Sequence, residues 1–277
     1  MTIPEPISAA SAENPSNLPP RYEIRRLTAN EAQWVAAIVC HSNMFCSTVF
    51  PHIYPEDKTK RFNNMMRAAD YLVEHQVQSG MSFGVFDLEY EYKRPQSAAT
   101  GGRFYWDPED DTVTRDELIE AMDFPLVTVA LAYDGFNTVD MEKLMPLIHI
   151  LPVFGTTFAA LNALDKRDPE SWKAKAPREV LMRMATSTRQ DYEGKGLMGA
   201  LARFLMREAK LKGFKAVNIE CMNDAVTYVW SQPPSPFKGE IVAEFHTDKF
   251  ENEDENGKKV KPFAPAKQRI TRVYTSL

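Results

Sequence analysis

The sequence predicts an α/β fold. Three observations carry that expectation. Several segments alternate apolar and polar residues at the period of a strand, others carry capped stretches with a helical apolar period, and the two kinds interleave along the chain. The 277 residues leave room for one large domain or two small ones. Hydrophobic residues at 44% and charged residues at 26% are ordinary for a soluble globular protein.

Residues 1–20, "MTIPEPISAASAENPSNLPP", are rich in Pro, Ser, Asn and small side chains and are expected to be a disordered tail. Residues 21–277 are expected to form a single domain. "RYEIRRLT" reads as a strand, with Tyr22, Ile24 and Leu27 apolar. Thr28 and Glu31 then make a capping box for the helix "EAQWVAAIVCHSNMF". Pro55 is placed to open a second helix, with Glu56 and Asp57 in its first turn. That helix runs through "KTKRFNNMMRAADYLVEHQVQ" to Gly80. "MSFGVFDLEYEY" and "TGGRFYW" read as strands. Thr114 and Glu117 form another capping box, and "PLVTVALAY" is either a buried strand or a helix. Asp140 caps a helix that Pro146 and Pro152 interrupt, and Asp168-Pro169-Glu170 starts a short one.

"REVLMRMAT" is a strand leading to the glycine-rich "YEGKGLMG". The helix "LMGALARFLMREAKLKG" follows, with Leu197, Leu201, Phe204, Leu205 and Leu211 on one stripe and Gly213 as its stop. "KAVNIEC" is a buried strand, and "NDAVTYVWSQ" a short helix ended by Pro233-Pro234. "EIVAEFHTDKF" and "RITRVYTSL" are strands flanking the polar turn "ENEDENGKK".

Composition excludes several classes of function. A net charge of −5 gives no basic footprint for nucleic acid. Three cysteines are too few for a disulfide framework and point to reduced thiols in the cytoplasm. Five histidines are too scattered to form a metal site, so no metal is expected. From Leu144 to Leu164 no side chain carries a full charge, a length that could span a bilayer. Pro146, His149, Pro152, Gly155 and Asn162 argue instead for a buried or pocket-lining segment, and no membrane partner is expected.

Gly194, Gly196 and Gly199 make a literal G-x-G-x-x-G at the start of a helix. Glycines let a backbone approach a pyrophosphate, and helix N-terminal amides then bind its oxygens. Three readings follow. A nicotinamide or flavin dinucleotide would find a ribose-binding acid in Glu220, about twenty residues on. Against it, the polar "STRQDYE" separates strand from glycines, and the motif falls late in the chain. Coenzyme A is the second reading. A glycine-started helix without a ligand is the third.

The order of strand, polar elbow, "EGKGLMG", amphipathic helix, strand, short helix and terminal strand pair resembles the GNAT superfamily of N-acetyltransferases. It is closest in layout to the arylalkylamine N-acetyltransferase-like branch. The resemblance covers about 22–277 and is most specific from Arg178 to Trp230. It implies a mixed, mostly antiparallel central sheet flanked by helices, with a helical insertion before the coenzyme-binding strand. It implies acetyl-CoA as cosubstrate and transfer of its acetyl group to a small amine. Met184, Ala185 and Thr186 would hold the acetyl carbonyl and pantetheine arm. Glu193, Gly194, Lys195, Gly196, Leu197, Met198 and Gly199 would form the pyrophosphate loop, with Asn223 opening the next helix on the coenzyme. Glu193 stands where the family has Arg or Gln, and Met198 where it has a small residue. Glu193 is expected to turn aside, either toward solvent or onto Lys195 or Arg189.

Acetyl transfer needs a base for the amine and a donor for the leaving thiolate. The resemblance implies a tyrosine on the helix after Asn223 as the acid. Tyr228 is the only tyrosine there, although Trp230 fits the family's spacing better. Glu179 is the candidate base, with Glu56 and Asp57 as others. The departures at Glu193 and Met198 also leave open a non-catalytic GNAT-like binding protein.

Overall fold

A computed structural model describes residues 8–254 and 256–277. Its centre is a seven-stranded sheet of β1 (Tyr22–Arg26), β2 (Phe83–Asp87), β3 (Leu126–Asp134), β4 (Val180–Thr188), β5 (Ala216–Cys221), β6 (Lys238–His246) and β7 (Arg269–Ser276), in the order β1-β2-β3-β4-β5-β7-β6. Every neighbouring pair is antiparallel except β4 and β5. The ambiguous "PLVTVALAY" is therefore a strand, and a nearly fully buried one, because both of its faces are covered.

The helices of seven or more residues are α1 (Ala32–His41), α2 (Lys58–Ala68), α3 (Asp70–Gln78), α4 (Arg115–Ala121), α5 (Met141–Ile150), α6 (Pro152–Leu164), α7 (Leu197–Leu211) and α8 (Asp224–Ser231). One core unites α7 and α8 with Ile24, Phe83, Leu181, Val217 and Val273 of the sheet. The other unites α1, α2, α3, α5 and α6 with Phe86, Leu131 and Ile270. The alternation of the strands thus feeds two apolar layers, one on each face.

Local chemistry sets the boundaries. Both capping boxes form: Glu31 accepts from the Thr28 amide at 2.8 Å, and Glu117 from that of Thr114 at 2.8 Å. Asp140 caps α5, and Gly80 and Gly213 take positive φ where helices end.

Several expectations need correction. Pro55 and Glu56 lie outside α2, which starts after a left-handed Asp57 at φ +50. Pro146 sits inside α5 rather than interrupting it. "TGGRFYW" yields only the two-residue strand Arg103–Phe104, paired with Met122–Asp123. Leu211 is 54% exposed, because it stands at the end of α7 beyond the sheet.

The tail expectation also changes. Residues 1–7 lie outside the described residues, but 8–20 are packed. Ser8 bridges to Arg25, and the Ala9 amide donates to the Ile24 carbonyl at 2.9 Å. Asn14 is buried, donating to the Phe204 carbonyl at 3.1 Å and accepting from Arg207 at 2.7 Å. Asn14 is a polar anchor, and Ala9, Ala10 and Leu18 pack partly buried against the α7 core beside it. The uncharged run Leu144–Leu164 folds into α5 and α6, bent 117° apart, and among the described residues no single helix is long and apolar enough to cross a membrane.

Candidate active site

The parallel pairing of β4 and β5 starts at Val180 and Ala216 and ends at Arg183 and Ile219. Beyond that point the strands part. Residues 185–188 keep their ladder with β3, and among the described residues 184–188 have no strand partner on the other edge. One residue of β4, Met184, is extra against Leu131 and Ala132 of β3. A bulge of this kind bends a strand and re-aims its backbone groups. The result is a strand edge with free amides and carbonyls facing a cavity of about 680 Å³.

The glycine loop closes one end of that cavity. Gly194 and Gly196 have φ near +76 and +75, values a side chain disfavours. This backbone turns the chain directly into α7. Among the described residues, no hydrogen-bond acceptor receives the amides of residues 194–199. The Arg203 guanidinium lies against Gly199, a cation beside the positive end of a helix. That arrangement is unfavourable on its own and suits an anion.

The loop is pinned from behind. Tyr192 is buried and donates to Asp87 at 2.7 Å, and Arg21 holds the same carboxylate at 2.8 and 2.7 Å. Arg189 is buried too, bound to the Phe124 carbonyl at 2.8 Å and to Asp191 at 2.8 Å. Lys195 lies over the Tyr192 ring at 4.1 Å. The expected pairing of Glu193 with Lys195 or Arg189 is therefore not made. Both cations are engaged elsewhere; Glu193 is exposed at the cavity wall, with partial desolvation raising its carboxyl above the usual range.

The rest of the cavity is an apolar chamber under α1, α2, α3, α5 and α6, with Val39, Met65, Leu72, Leu147 and Phe154 in its wall. The uncharged run is thus a pocket-lining segment. One carboxylate, Glu220, sits where chamber and parted strands meet. It is buried. Its Oε1 accepts from Asn218 at 3.1 Å and from Arg272 at 3.2 Å, while its Oε2 has no partner. Burial raises its carboxyl, and Arg272 opposes that rise. Asp165 steadies Arg272 at 3.7 Å.

Two other titratable groups are shifted by burial: Cys46, which lines the cavity, and His41, which does not. Burial pushes the Cys46 thiol up to about 11 and the His41 imidazole down to about 4. Among the described residues, no three His, Cys, Asp or Glu side chains converge on a metal position.

No family model matches the sequence, and no curated protein matches it. Solved structures do. The C-terminal condensation domain of Ebony, in complex with beta-alanyl-dopamine, superposes with a TM-score of 0.59 at 14% identity, over 92% of this chain and 99% of that one. Arylalkylamine N-acetyltransferase 2 from Aedes aegypti gives 0.54 at 13% identity, over 91% and 97%. A mosquito arylalkylamine N-acetyltransferase-like 5b gives 0.50 at 14% identity, over 92% and 100%. The chain has the GNAT fold. At these identities the likeness is one of architecture.

In this GNAT fold the sequence-read residues divide. Met184, Ala185, Thr186 and the whole of 193–199 line the cavity, as does Asn223. Asn223 spends its side chain on the Ala225 amide at 2.8 Å, capping α8. The two proposed catalytic residues do not join them. Tyr228 is 67% exposed on the outer side of α8, whereas Trp230 of the same helix is buried in the core. Glu179 precedes β4 at its far end, about 16 Å of strand from Met184. There it binds Lys215 at 2.9 Å, which holds its carboxyl down to about 2. Glu56 and Asp57 are exposed and outside the cavity.

Glu220 and Arg183 are the groups that sequence reading missed for this chemistry. Both are charges inside mostly apolar strands, "AVNIEC" and "VLMRMAT". That anomaly is visible in the sequence, but the parting of the strands that gives it meaning is not.

Proposed function

We propose that the protein transfers an acetyl group from acetyl-CoA to a small amine. The observation that carries this reading is the unpaired edge of β4 over residues 184–188, opening into the same cavity as the acceptor-free amides of 194–199. The loop amides and Arg203 would hold the pyrophosphate. The free edge at Met184, Ala185 and Thr186 would hold the amide-bearing pantetheine arm by strand-like hydrogen bonds. Bound there, acetyl-CoA supplies an activated acetyl thioester.

The chain's own groups do the rest. The apolar chamber takes the body of the amine and excludes water. Glu220 Oε2, buried and free, accepts the proton that the amine must lose. Arg272 and Asn218 fix the carboxylate through its other oxygen. Glu220 thus replaces Glu179 as the base in our reading.

A nicotinamide or flavin oxidoreductase is disfavoured by the sheet. One parallel pair, β4 and β5, offers no doubly wound βαβ array. The non-catalytic reading keeps one observation in its favour, the Glu193 carboxylate at the loop. Parallel calorimetric titrations with acetyl-CoA, CoA and NADH separate the three. We expect heat from both coenzyme A species and none from NADH. A panel of primary amines with acetyl-CoA, followed by mass spectrometry, then distinguishes enzyme from binder. NADH binding without CoA binding would overturn the proposal.

A further inference from the structure

Arg183 is the last residue of β4 paired with β5, so it stands at the point where the two strands part. It is 3% exposed and lines the cavity. Its Nε and Nη2 are buried with no hydrogen-bond partner, and no acceptor among the described residues receives any of its N–H groups. A guanidinium carries five donors and remains charged. Burying one without a hydrogen-bond acceptor is costly and leaves its donors available to a ligand. The side chain is therefore explained by something that enters the cavity.

Its surroundings say which part of a ligand. Arg183 lies toward α8, with its guanidinium 5.9 Å from the Trp230 ring. That is the core shared with α7, whose first turn carries the amide loop, and not the chamber under α1 and α3. The ionisable neighbours are Glu220 and Cys221, both on β5. Cys221 is buried, with its thiol raised to about 11 and so uncharged. From α8 the facing group is Trp230, which has no acidic proton to give at neutral pH. Tyr228 points to solvent. From Met184 to Thr188 the free edge of β4 spans five residues, about 16 Å, between Arg183 and the elbow that leads to the loop. An extended pantetheine arm has about that reach.

We infer that Arg183 receives the sulfur of the coenzyme as a thiolate, the task for which a tyrosine acid was expected. The inference rests on the acetyl-transfer reading. In the transfer, the amine lone pair forms the new C–N bond to the thioester carbonyl carbon, whose π pair moves onto oxygen. The pair returns to restore C=O, and the C–S bond breaks with its electrons on sulfur. The ammonium proton passes to Glu220. The thiolate stays unprotonated against the Arg183 guanidinium and takes a proton from water after release. No general acid is required: of the two ionisable neighbours, Glu220 serves as the proton acceptor and the Cys221 thiol is raised to about 11.

Free CoA itself is the probe. Its thiolate absorbs in the ultraviolet, so the ionisation of the bound thiol can be followed against pH without any acceptor amine. In the wild-type protein the bound thiol should ionise about one to three pH units below free CoA. Arg183→Met should bring that midpoint back to the free value, and Arg183→Lys should keep most of the depression. Because the cation is unpaired in the free protein, Arg183→Met should melt no lower than wild type. Equal midpoints in wild type and Arg183→Met, both loaded with CoA, would overturn the inference and leave acetyl transfer standing. A large loss of thermal stability in Arg183→Met would overturn it too, since it would assign the residue to the fold. Absence of CoA binding to wild type by calorimetry would instead remove the acetyl-transfer reading underneath it.

Discussion

At the scale of single residues, two carboxylates carry opposite expectations. Glu220 is buried at the cavity wall, and its Oε2 has no hydrogen-bond partner. Glu220→Gln removes the proton acceptor while keeping the hydrogen bond to Arg272, so kcat should fall about 10²–10⁴-fold with little change in acetyl-CoA affinity. Burial raises the Glu220 carboxyl, although Arg272 opposes it, so the group gains its proton at a higher pH than an exposed glutamate. Wild-type kcat/KM should therefore fall on the acid side, starting above the ordinary glutamate range, and Glu220→Gln should lose that limb. A pH–rate profile on the wild type and the variant checks both. Glu193 has neither of its expected cations, although its side chain is exposed to solvent. At about 6 Å and an effective dielectric near 40, its repulsion with one phosphate charge is roughly 1 kcal/mol. Glu193→Gln should tighten acetyl-CoA binding severalfold, with a smaller difference at high salt. An unchanged Kd across salt would show that the carboxylate has swung clear.

At the scale of elements, the loop and α7 act as a unit. The would-be Cβ of Gly196 meets nothing within 4 Å, so the fold has space for a side chain there. The obstacle is the backbone, with φ at +75. Gly196→Val should cost about 1–2 kcal/mol by forcing a branched residue into the left-handed region. It should also weaken acetyl-CoA at least tenfold by turning the amides of 194–199 away from one another. Melting temperature and calorimetry on the variant report the two effects separately. The second anchor of the loop is the Tyr192 hydroxyl on Asp87. Legibility at this scale was uneven. The capping boxes and α7 were visible because their signals are local. The short strand Arg103–Phe104 was over-read, because its ladder depends on Met122–Asp123 and not on its own alternation.

At the scale of the whole molecule, Arg21, Asp87 and Tyr192 tie β1, β2 and the loop together across long stretches of chain. Burial alone would raise the Asp87 carboxyl, but the bonds from Arg21 and Tyr192 outweigh it and hold the group below the usual aspartate range. A depressed carboxylate contributes stability that is present above its unfolded value and is lost as pH falls through its native one. Wild-type stability should thus drop as the pH passes below the ordinary aspartate range. Tyr192→Phe should cost about 1 kcal/mol at neutral pH and reduce that dependence, as urea titrations at several pH values would show. The segment 8–20 adds a second long-range tie. Asn14→Ala leaves the Phe204 carbonyl and Arg207 without their buried partner and should cost about 1–3 kcal/mol in the same assay.

The sequence alone determined the alternation of strands and helices, the caps at Thr28, Thr114 and Asp140, and a glycine loop opening an amphipathic helix. Each is a matter of neighbours within one or two turns of chain, where periodicity and capping chemistry act. Tertiary structure decided what the site is made of. Tyr228 and Glu179 carry suitable chemistry, but α8 turns one to solvent and β4 carries the other to its far end. Glu220 and Arg183 look like misplaced charges until β4 and β5 part between them. Which residues meet depends on sheet order and register between segments dozens of residues apart, and local pattern holds no record of that pairing.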